Sequence, residues 1–395
     1  METRQERGIA FKPKHTAKPG NDNRLRRKAV QRPRNDDRFR HMALDMSKSE
    51  IRLLHVRVHG ERRQYKIQHY ELKTAPAYRA LSYEWGNGNS KQKITIGGKF
   101  LDIRSNLSLF LDQFCHVPRD EYLWIDQITI DQGVLEERNH QVSMMADIYS
   151  SAQQVIIWIP FVNKLAMSDP KQWQIMCRNG GKTLFGYSWW MAELLMSSYW
   201  HRVWIIEEVV LARSIEVFYG DCIIQWSEVV EQEQEQDMYR FQLSYSSFWW
   251  LLKHATTLNA PEAERLDLMD VLSSCSGAGC SDLRDIVYGI QALIKPSQRV
   301  AIDYTKPAMG VFLDAAGALF AGFCQLMDKA DTWQPATWTH LSSLMLSLAH
   351  VLMNNRQRFQ GISHTEVRSL VSLEPSGERT RAFRSLAVER LKWSI

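Results

Sequence analysis

The chain has 395 residues, 45% of them hydrophobic and 11% aromatic with fourteen Trp, enough apolar material for a large core and too much for a wholly disordered protein. Its net charge of +5 is unevenly placed: residues 1–42 hold thirteen Lys and Arg against five Asp and Glu, a net +8, while the rest, with 36 against 39, is net −3. The basic excess belongs to one tail, so the composition does not mark the remainder as a nucleic-acid binder.

That tail, residues 1–48, contains RLRRKAVQRPR and few apolar residues, so it cannot offset the entropy of ordering itself and is predicted to be disordered. Its basic run would serve as a nuclear address or a nucleic-acid contact; the plainer reading is a solvated tail, and nucleic acid is not the expected partner. No apolar h-region follows the N-terminus, and Glu2 and Glu6 speak against a mitochondrial leader. The cytoplasm is the expected location, with the nucleus as the alternative.

Ile51 to Val58 and Tyr65 to Leu72 are strand-like runs separated by Gly60-Glu61-Arg62-Arg63, which predicts an antiparallel hairpin. Ala80 to Tyr83 reads as a strand that ends in Tyr83 and Trp85 and runs into a loop rich in Gly and Asn. Lys93 to Ile103, with Gly97-Gly98 at its middle, is a second hairpin, after which Ser105-Asn106 is expected to cap a helix carrying Leu107, Phe110, Leu111 and Phe114.

Leu123 to Ile130 reads as a buried strand stopped at Asp131-Gln132-Gly133. The following helix places Val142, Met145, Ile148, Tyr149 and Ala152 on one stripe and opens with Glu136, Glu137 and Arg138, which read as a solvated first turn or cap. A strand end that meets a helix start in this way is where open α/β sheets bind ligands. Gln154 to Ile159 is a further core strand.

Gly181-Lys182-Thr183 lacks the Gly at position 176 that a phosphate loop needs. Trp189 to Ala212 reads as one long helical region, Glu216 to Tyr219 as a strand, and Ile223 to Trp226 as a short edge pairing. Strands that alternate with helices predict an α/β fold with a mostly parallel sheet and helices on both faces, here over residues 49–228.

From residue 229 the EQEQEQD run reads as solvated, and only helical periodicity follows, at Phe248–His254, Leu266–Leu272 and Leu341–Leu352. Residues 229–395 are therefore expected to be a mainly helical region. Its last residues, RSLAVERLKWSI, read as an unfinished amphipathic helix, which leaves the completeness of that end open. Ala308 to Met327 is the longest apolar run, but Asp314 and two Gly favour a buried helix over a membrane span, and no membrane is expected. Six scattered Cys are expected to be reduced and buried, with no pairing that suggests zinc and no metal site.

Three blocks in order, YRALSYEWG at 78–86, LWIDQITIDQ and EERNHQVSMMADIYSSAQQVIIWI within 123–159, and RVWIIEEVVLA at 202–212, resemble the fungal heterokaryon-incompatibility (HET) domain. IRLL at 51–54 and DLRDIVYGIQAL at 282–293 are similar to its flanking blocks. Trp124, Ile125, Asp126 and Gln132 match the family's second block, while Thr129 and Asp131 stand where Cys and Asn are customary; Glu207-Glu208 replaces a customary Gln-Glu. The resemblance implies non-self recognition between hyphae, leading to cell death, with self-association through the HET domain and an unknown allelic or sensor partner. It also implies a TIR-like, flavodoxin-like sheet, since HET domains are considered similar in fold to TIR domains, which include NAD hydrolases and assembly modules.

In that comparison Trp204-x-x-x-Glu208 looks like the TIR helix that carries the catalytic glutamate. NAD is then the expected substrate and no cofactor is required. A carboxylate beside the ribose would stabilise the oxocarbenium-like state as the nicotinamide bond breaks. On a helix, Trp204 and Glu208 share a face, whereas Glu207 turns about 100° away and is expected in solvent or a salt bridge. The purely structural alternative pairs Glu208 with Arg202.

Tyr83, Trp85 and Gly86 would receive a base or let a ligand approach the backbone, though aromatics at a strand end are as readily core. Asp126 and Gln132 would bind a ribose or satisfy loop amides, and Glu137 and Arg138 would serve the same cleft or cap the helix. Two functional classes stay open: a NAD-cleaving enzyme (NAD nucleosidase) and a non-catalytic self-assembling interaction module.

Overall fold

The computed structural model describes residues 37–160 except 87 and 89, and residues 194–319 with interruptions at 195–196, 221, 236–249, 252–253, 256–263, 276–277, 309, 313 and 316. Expectations for residues 1–36, for the phosphate-loop-like fragment at 181–183 and for everything beyond 319 lie outside the described residues. Nine strands form one sheet in the order β5-β4-β2-β1-β6-β3-β7-β8-β9. They are β1 Glu50–His59, β2 Arg62–Glu71, β3 Tyr78–Tyr83, β4 Lys91–Ile96, β5 Lys99–Arg104, β6 Arg119–Trp124, β7 Gln154–Ile159, β8 Ile215–Tyr219 and β9 Cys222–Gln225.

The two hairpins read from the sequence are β1–β2 and β4–β5, the second turning on Gly97 and Gly98 at φ +57° and +85°, angles open to Gly at no steric cost. The expected parallel sheet is the centre, with one further parallel pairing of β2 with β4 at Tyr65 and Ile96. β6, β3, β7 and β8 run parallel; β1 is antiparallel to both neighbours, and β9 turns back on β8, so the whole sheet is mixed.

Both faces are covered, as the side-chain alternation requires. On β3, Tyr78 and Ala80 enter one core while Leu81 and Tyr83 enter the other; on β7, Val155, Ile157 and Ile159 oppose Ile156 and Trp158. Helix α1, Ser105–Phe114, covers the second face with Leu107, Phe110, Leu111 and Phe114. Ser105 opens this helix without capping it through its side chain. Asn106 is drawn away to donate to the Glu84 carbonyl and accept from the Trp158 indole.

The expected strand over Leu123–Ile130 stops at Trp124. Asp126–Thr129 forms a helical turn, α2, in which the Thr129 hydroxyl donates to the Ile125 carbonyl and Ile128 and Ile130 are buried nonetheless. The single helix expected after it is two, α3 Leu135–Ser143 and α4 Met145–Ser151, separated at Met144, where φ is −97° and ψ −3°. The long helix expected over Trp189–Ala212 is, where described, a 3₁₀ turn at Ser198–His201, extended backbone at Arg202, and α5, Ile205–Val210. The EQEQEQD stretch begins within α6, Trp226–Glu235.

From Arg38 onward the described residues form one compact unit. Residues 38–46, read from the sequence as tail, are placed against the sheet: the Phe39 N–H donates to the Phe100 carbonyl at 2.8 Å, His41 Nε2 lies 2.7 Å from the Ile128 carbonyl, and Leu44 is buried. Helices α7, Leu268–Ser274, and α8, Asp285–Tyr288, contribute Leu268, Val271, Val287 and Tyr288 to the core that α4 and α5 build. Among the described residues no helix is long and apolar enough to cross a membrane.

Arg52 of β1, wholly buried, holds the junction that follows β6. It grips Glu137 of α3 through two bonds of 2.6 and 2.9 Å and also donates to the Thr129 and Met42 carbonyls. Burial by itself would raise the Glu137 pKa, but the bonds from Arg52 and from the Asp131 N–H outweigh it and hold the group below its ordinary value. The contribution of this pair is therefore present at neutral pH and is lost as pH falls through the lowered value. Glu137→Ala leaves the guanidinium buried without its partner and is expected to lower stability by about 3–5 kcal/mol. Urea unfolding checks this; a loss under about 1 kcal/mol would show that the fork is dispensable.

Candidate functional site

The connection that leaves β3 crosses the face covered by α1, and the one that leaves its parallel neighbour β6 crosses the face covered by α4. Two adjacent parallel strands whose chains depart to opposite faces leave a crevice beyond their carboxyl ends. A cleft of about 480 Å³ opens there. Seven of the nine residues singled out from the sequence line it: Trp85, Gly86, Asp126, Gln132, Arg138, Trp204 and Glu208.

Tyr83 and Glu137 do not line it. Tyr83 is buried in the core of the α1 face, and its hydroxyl lies close enough to Asp126 for the two groups to shift each other's pKa. Glu137 is not in a solvated first turn; it faces β1 and is committed to Arg52. Its neighbour Arg138, about 100° further round the helix, reaches the cleft.

Glu208 is 4% exposed. It accepts the Ser82 hydroxyl, which is itself 2.6 Å from the Tyr199 hydroxyl, so β3 and the 3₁₀ turn hold the carboxylate from one side. Burial pushes its pKa up to about 7 against the pull of Arg202 and Ser82, and the charge of Asp126 adds to the rise. Arg202 does not form an ion pair with Glu208; its guanidinium donates to the Tyr83 carbonyl and acts on Glu208 and Asp126 through charge.

Glu207 departs from expectation. It is as buried as Glu208 and accepts the Ala292 N–H at 2.7 Å, so it ties α5 to the chain beyond α8, and burial raises it too to about 7.

Asp126 is half-buried at the start of α2. Its Oδ2 accepts the Trp85 indole N–H at 2.7 Å and its Oδ1 the Gln127 N–H, while Gln132 donates to its backbone carbonyl at 3.0 Å. Burial raises its pKa against the Trp85 bond. Gly86, at φ +69°, turns the chain sharply after Trp85, and its carbonyl accepts from Arg104.

Sequence reasoning missed Ser82, Arg104 and the wall formed by residues 279–285 and Tyr304. Ser82 sits on an apolar strand with no motif to mark it. The far wall comes from the region beyond 228. Gly279 pairs with the backbone beside Arg202, the Val203 N–H donating to it at 3.1 Å, and the Tyr304 hydroxyl donates to Asp285 at 2.6 Å. Burial raises Asp285 to about 6. Among the described residues no three His, Cys, Asp or Glu side chains are grouped as a metal site would require, and Cys115, Cys222, Cys275 and Cys280 are not in disulfides.

The arrangement defines a class, an α/β protein with a buried acid of near-neutral pKa in a cleft at its strand ends. Residues 78–208 match the family described as Heterokaryon incompatibility protein (HET), so that segment is similar to a HET domain. It is 38% identical over 97 residues to Heterokaryon incompatibility protein 6, OR allele, of Neurospora crassa. That alignment covers 21% of this chain and 14% of the relative, so the chain spans only about a seventh of the protein it matches. No solved structure matches the chain.

An acid raised on folding from 4.5 to about 7 is bound to a proton in the folded state over a range where the unfolded chain has lost it. Stability linked to Glu208 is therefore full below the ordinary value and declines as pH rises toward 7. Glu208→Gln is expected to remove this decline and to exceed the wild type above pH 7 by an amount on the order of 3 kcal/mol. Denaturation midpoints measured between pH 4.5 and 8 check it; parallel curves for the two proteins would refute the burial of a titrating acid.

Proposed function

We propose that the protein acts in fungal heterokaryon incompatibility, where it leads to cell death by cleaving NAD in this cleft. The observation that carries the enzymatic part is Glu208, an acid with a pKa of about 7 beside Trp204 and Asp126. In this reading the C1′–N bond to nicotinamide breaks with its electron pair leaving on the ring nitrogen. Glu208 stabilises the oxocarbenium-like ribose, a water oxygen bonds to C1′, and the carboxylate takes the water proton, giving nicotinamide and ADP-ribose.

The HET match over 78–208 and the name of the Neurospora relative support the incompatibility role. A TIR-like reading of the parallel centre supports NAD as substrate only by analogy of fold. In this reading the protein works in the cytoplasm, self-associates through the HET domain and answers to an allelic or sensor partner, and no additional cofactor takes part.

Purified protein, once oligomerised, is expected to release nicotinamide from NAD. The rate should climb with pH through about 7 as Glu208 ionises, and Glu208→Gln should lower it at least about 100-fold. If wild type and variant are both inert while both still kill hyphae, the enzymatic reading fails and the protein is a non-catalytic assembly module.

A further inference from the structure

The cleft holds positive charge that the fold does not use. Arg138 and Arg104 both line it, and neither forms an ion pair with a described carboxylate. Each is stacked on a ring of the wall instead. The Arg104 guanidinium lies 4.7 Å from the Trp85 centroid and the Arg138 guanidinium 4.4 Å from that of Tyr304.

The Arg104 guanidinium donates once, to the Gly86 carbonyl at 2.9 Å. The Arg138 guanidinium donates to no described group, and its Nε is fully shielded from solvent. A guanidinium carries five donors and keeps its charge at any physiological pH. Folded proteins seldom leave such a group unsatisfied without a use for it.

The surroundings fix Arg138 in this state. The Tyr304 ring beneath it is anchored through its hydroxyl to Asp285 at 2.6 Å and through its N–H to Asn139 Oδ1 at 3.2 Å, and Arg284 covers the ring at 5.0 Å. Asp282, the carboxylate whose field reaches Arg138, is itself taken by Arg284 at 2.5 Å. Asp126 and Glu208 in the same cleft already have donors, Asp126 from Trp85 and Glu208 from Ser82, and both feel Arg202. Glu84 and Asp285 also line the cleft and already accept from Ser198 and Tyr304, so the unspent donors are those of Arg138, over Tyr304, and of Arg104, over the half-buried indole of Trp85.

We infer that the cleft binds an organic diphosphate carrying an aromatic base. Arg138 and Arg104 take the phosphate oxygens, a tryptophan ring takes the base, and the oxygens of Asp126 and Glu208 accept hydroxyls of the connecting sugar. Guanidinium forks match phosphate oxygens, and indoles stack on any base. About 480 Å³ is within the range of small-molecule sites. The inference rests on reading this cleft as the functional site, and it requires binding without requiring cleavage.

The full-length chain titrated with ADP-ribose, ADP and adenosine, followed by tryptophan fluorescence and calorimetry, tests it. Both diphosphates are expected to bind at least about tenfold more tightly than adenosine, with the gap narrowing as salt is raised. Arg138→Gln should weaken the diphosphates about tenfold or more and leave adenosine unchanged, and Arg138→Lys should recover part of the loss.

Equal binding of ADP and adenosine, no binding of any of the three, or unchanged diphosphate affinity in Arg138→Gln would each overturn the inference. Should Arg138→Gln fail to fold, Arg104→Gln and the salt series decide by the same criteria. Nicotinamide release with a KM for NAD that neither arginine variant moves would reject the diphosphate clamp and leave the Glu208 chemistry standing. Firm ADP-ribose binding without nicotinamide release would do the reverse.

Discussion

The fork between Arg52 and Glu137 is the interaction on which the site depends. Removing two charges from water is unfavourable unless every donor and oxygen is satisfied. Here the guanidinium finds Glu137, Thr129 and Met42, and Glu137 finds Arg52 and the Asp131 N–H. Those bonds tie β1, the segment before it, the end of α2 and the start of α3 to one point. With Glu137 turned to β1, helix geometry carries Arg138 toward the cleft, and α2 is held where Asp126 meets the Trp85 indole. One buried pair thereby orients groups of both walls.

A second constraint is the set of acids sunk in the molecule. Glu207 and Glu208 are adjacent, both 4% exposed, and satisfied in opposite directions: one by the Ala292 N–H, the other by Ser82. Desolvation raises both, and their proximity adds to the effect on Glu207. A short helix so placed stays buried because its apolar residues, Ile205, Ile206, Val209 and Val210, fill the core around the two carboxyls. The same helix joins the sheet to the chain beyond residue 264, so the cleft is completed by residues outside the segment that matches the HET family. The edge of a family's sequence blocks and the edge of a working site need not coincide.

Much of the architecture was legible in the residues. Short runs rich in apolar and β-branched residues at 51–58, 154–159 and 216–219 mark strands because a strand covered on both faces needs such residues nearly throughout, and Gly97-Gly98 marks a hairpin because its backbone angles favour Gly. Trp85, Asp126, Trp204 and Glu208 were legible as a group since strand ends and helix starts converge in such sheets and positions four apart share a helix face. Local pattern misled where distant partners took over. Glu137 carries the polar signature of a helix start, yet its partner lies 85 positions earlier; Glu207 has the spacing of a surface residue, yet it accepts from Ala292, 85 positions later.

What the sequence determined by itself is the order of strands and helices and the chemical inventory near their ends, because these follow from periodicity and turn propensity within a few residues. Only the tertiary structure decided that the sheet is mixed, that Ser82 holds Glu208, that the Arg138 guanidinium stacks on Tyr304 and is left without a described acceptor, and that residues 279–285 and Tyr304 form the far wall. Each of these depends on which distant segment desolvates a group or completes its hydrogen bonds. No local spacing encodes that choice, because burial and pairing are properties of the packed chain.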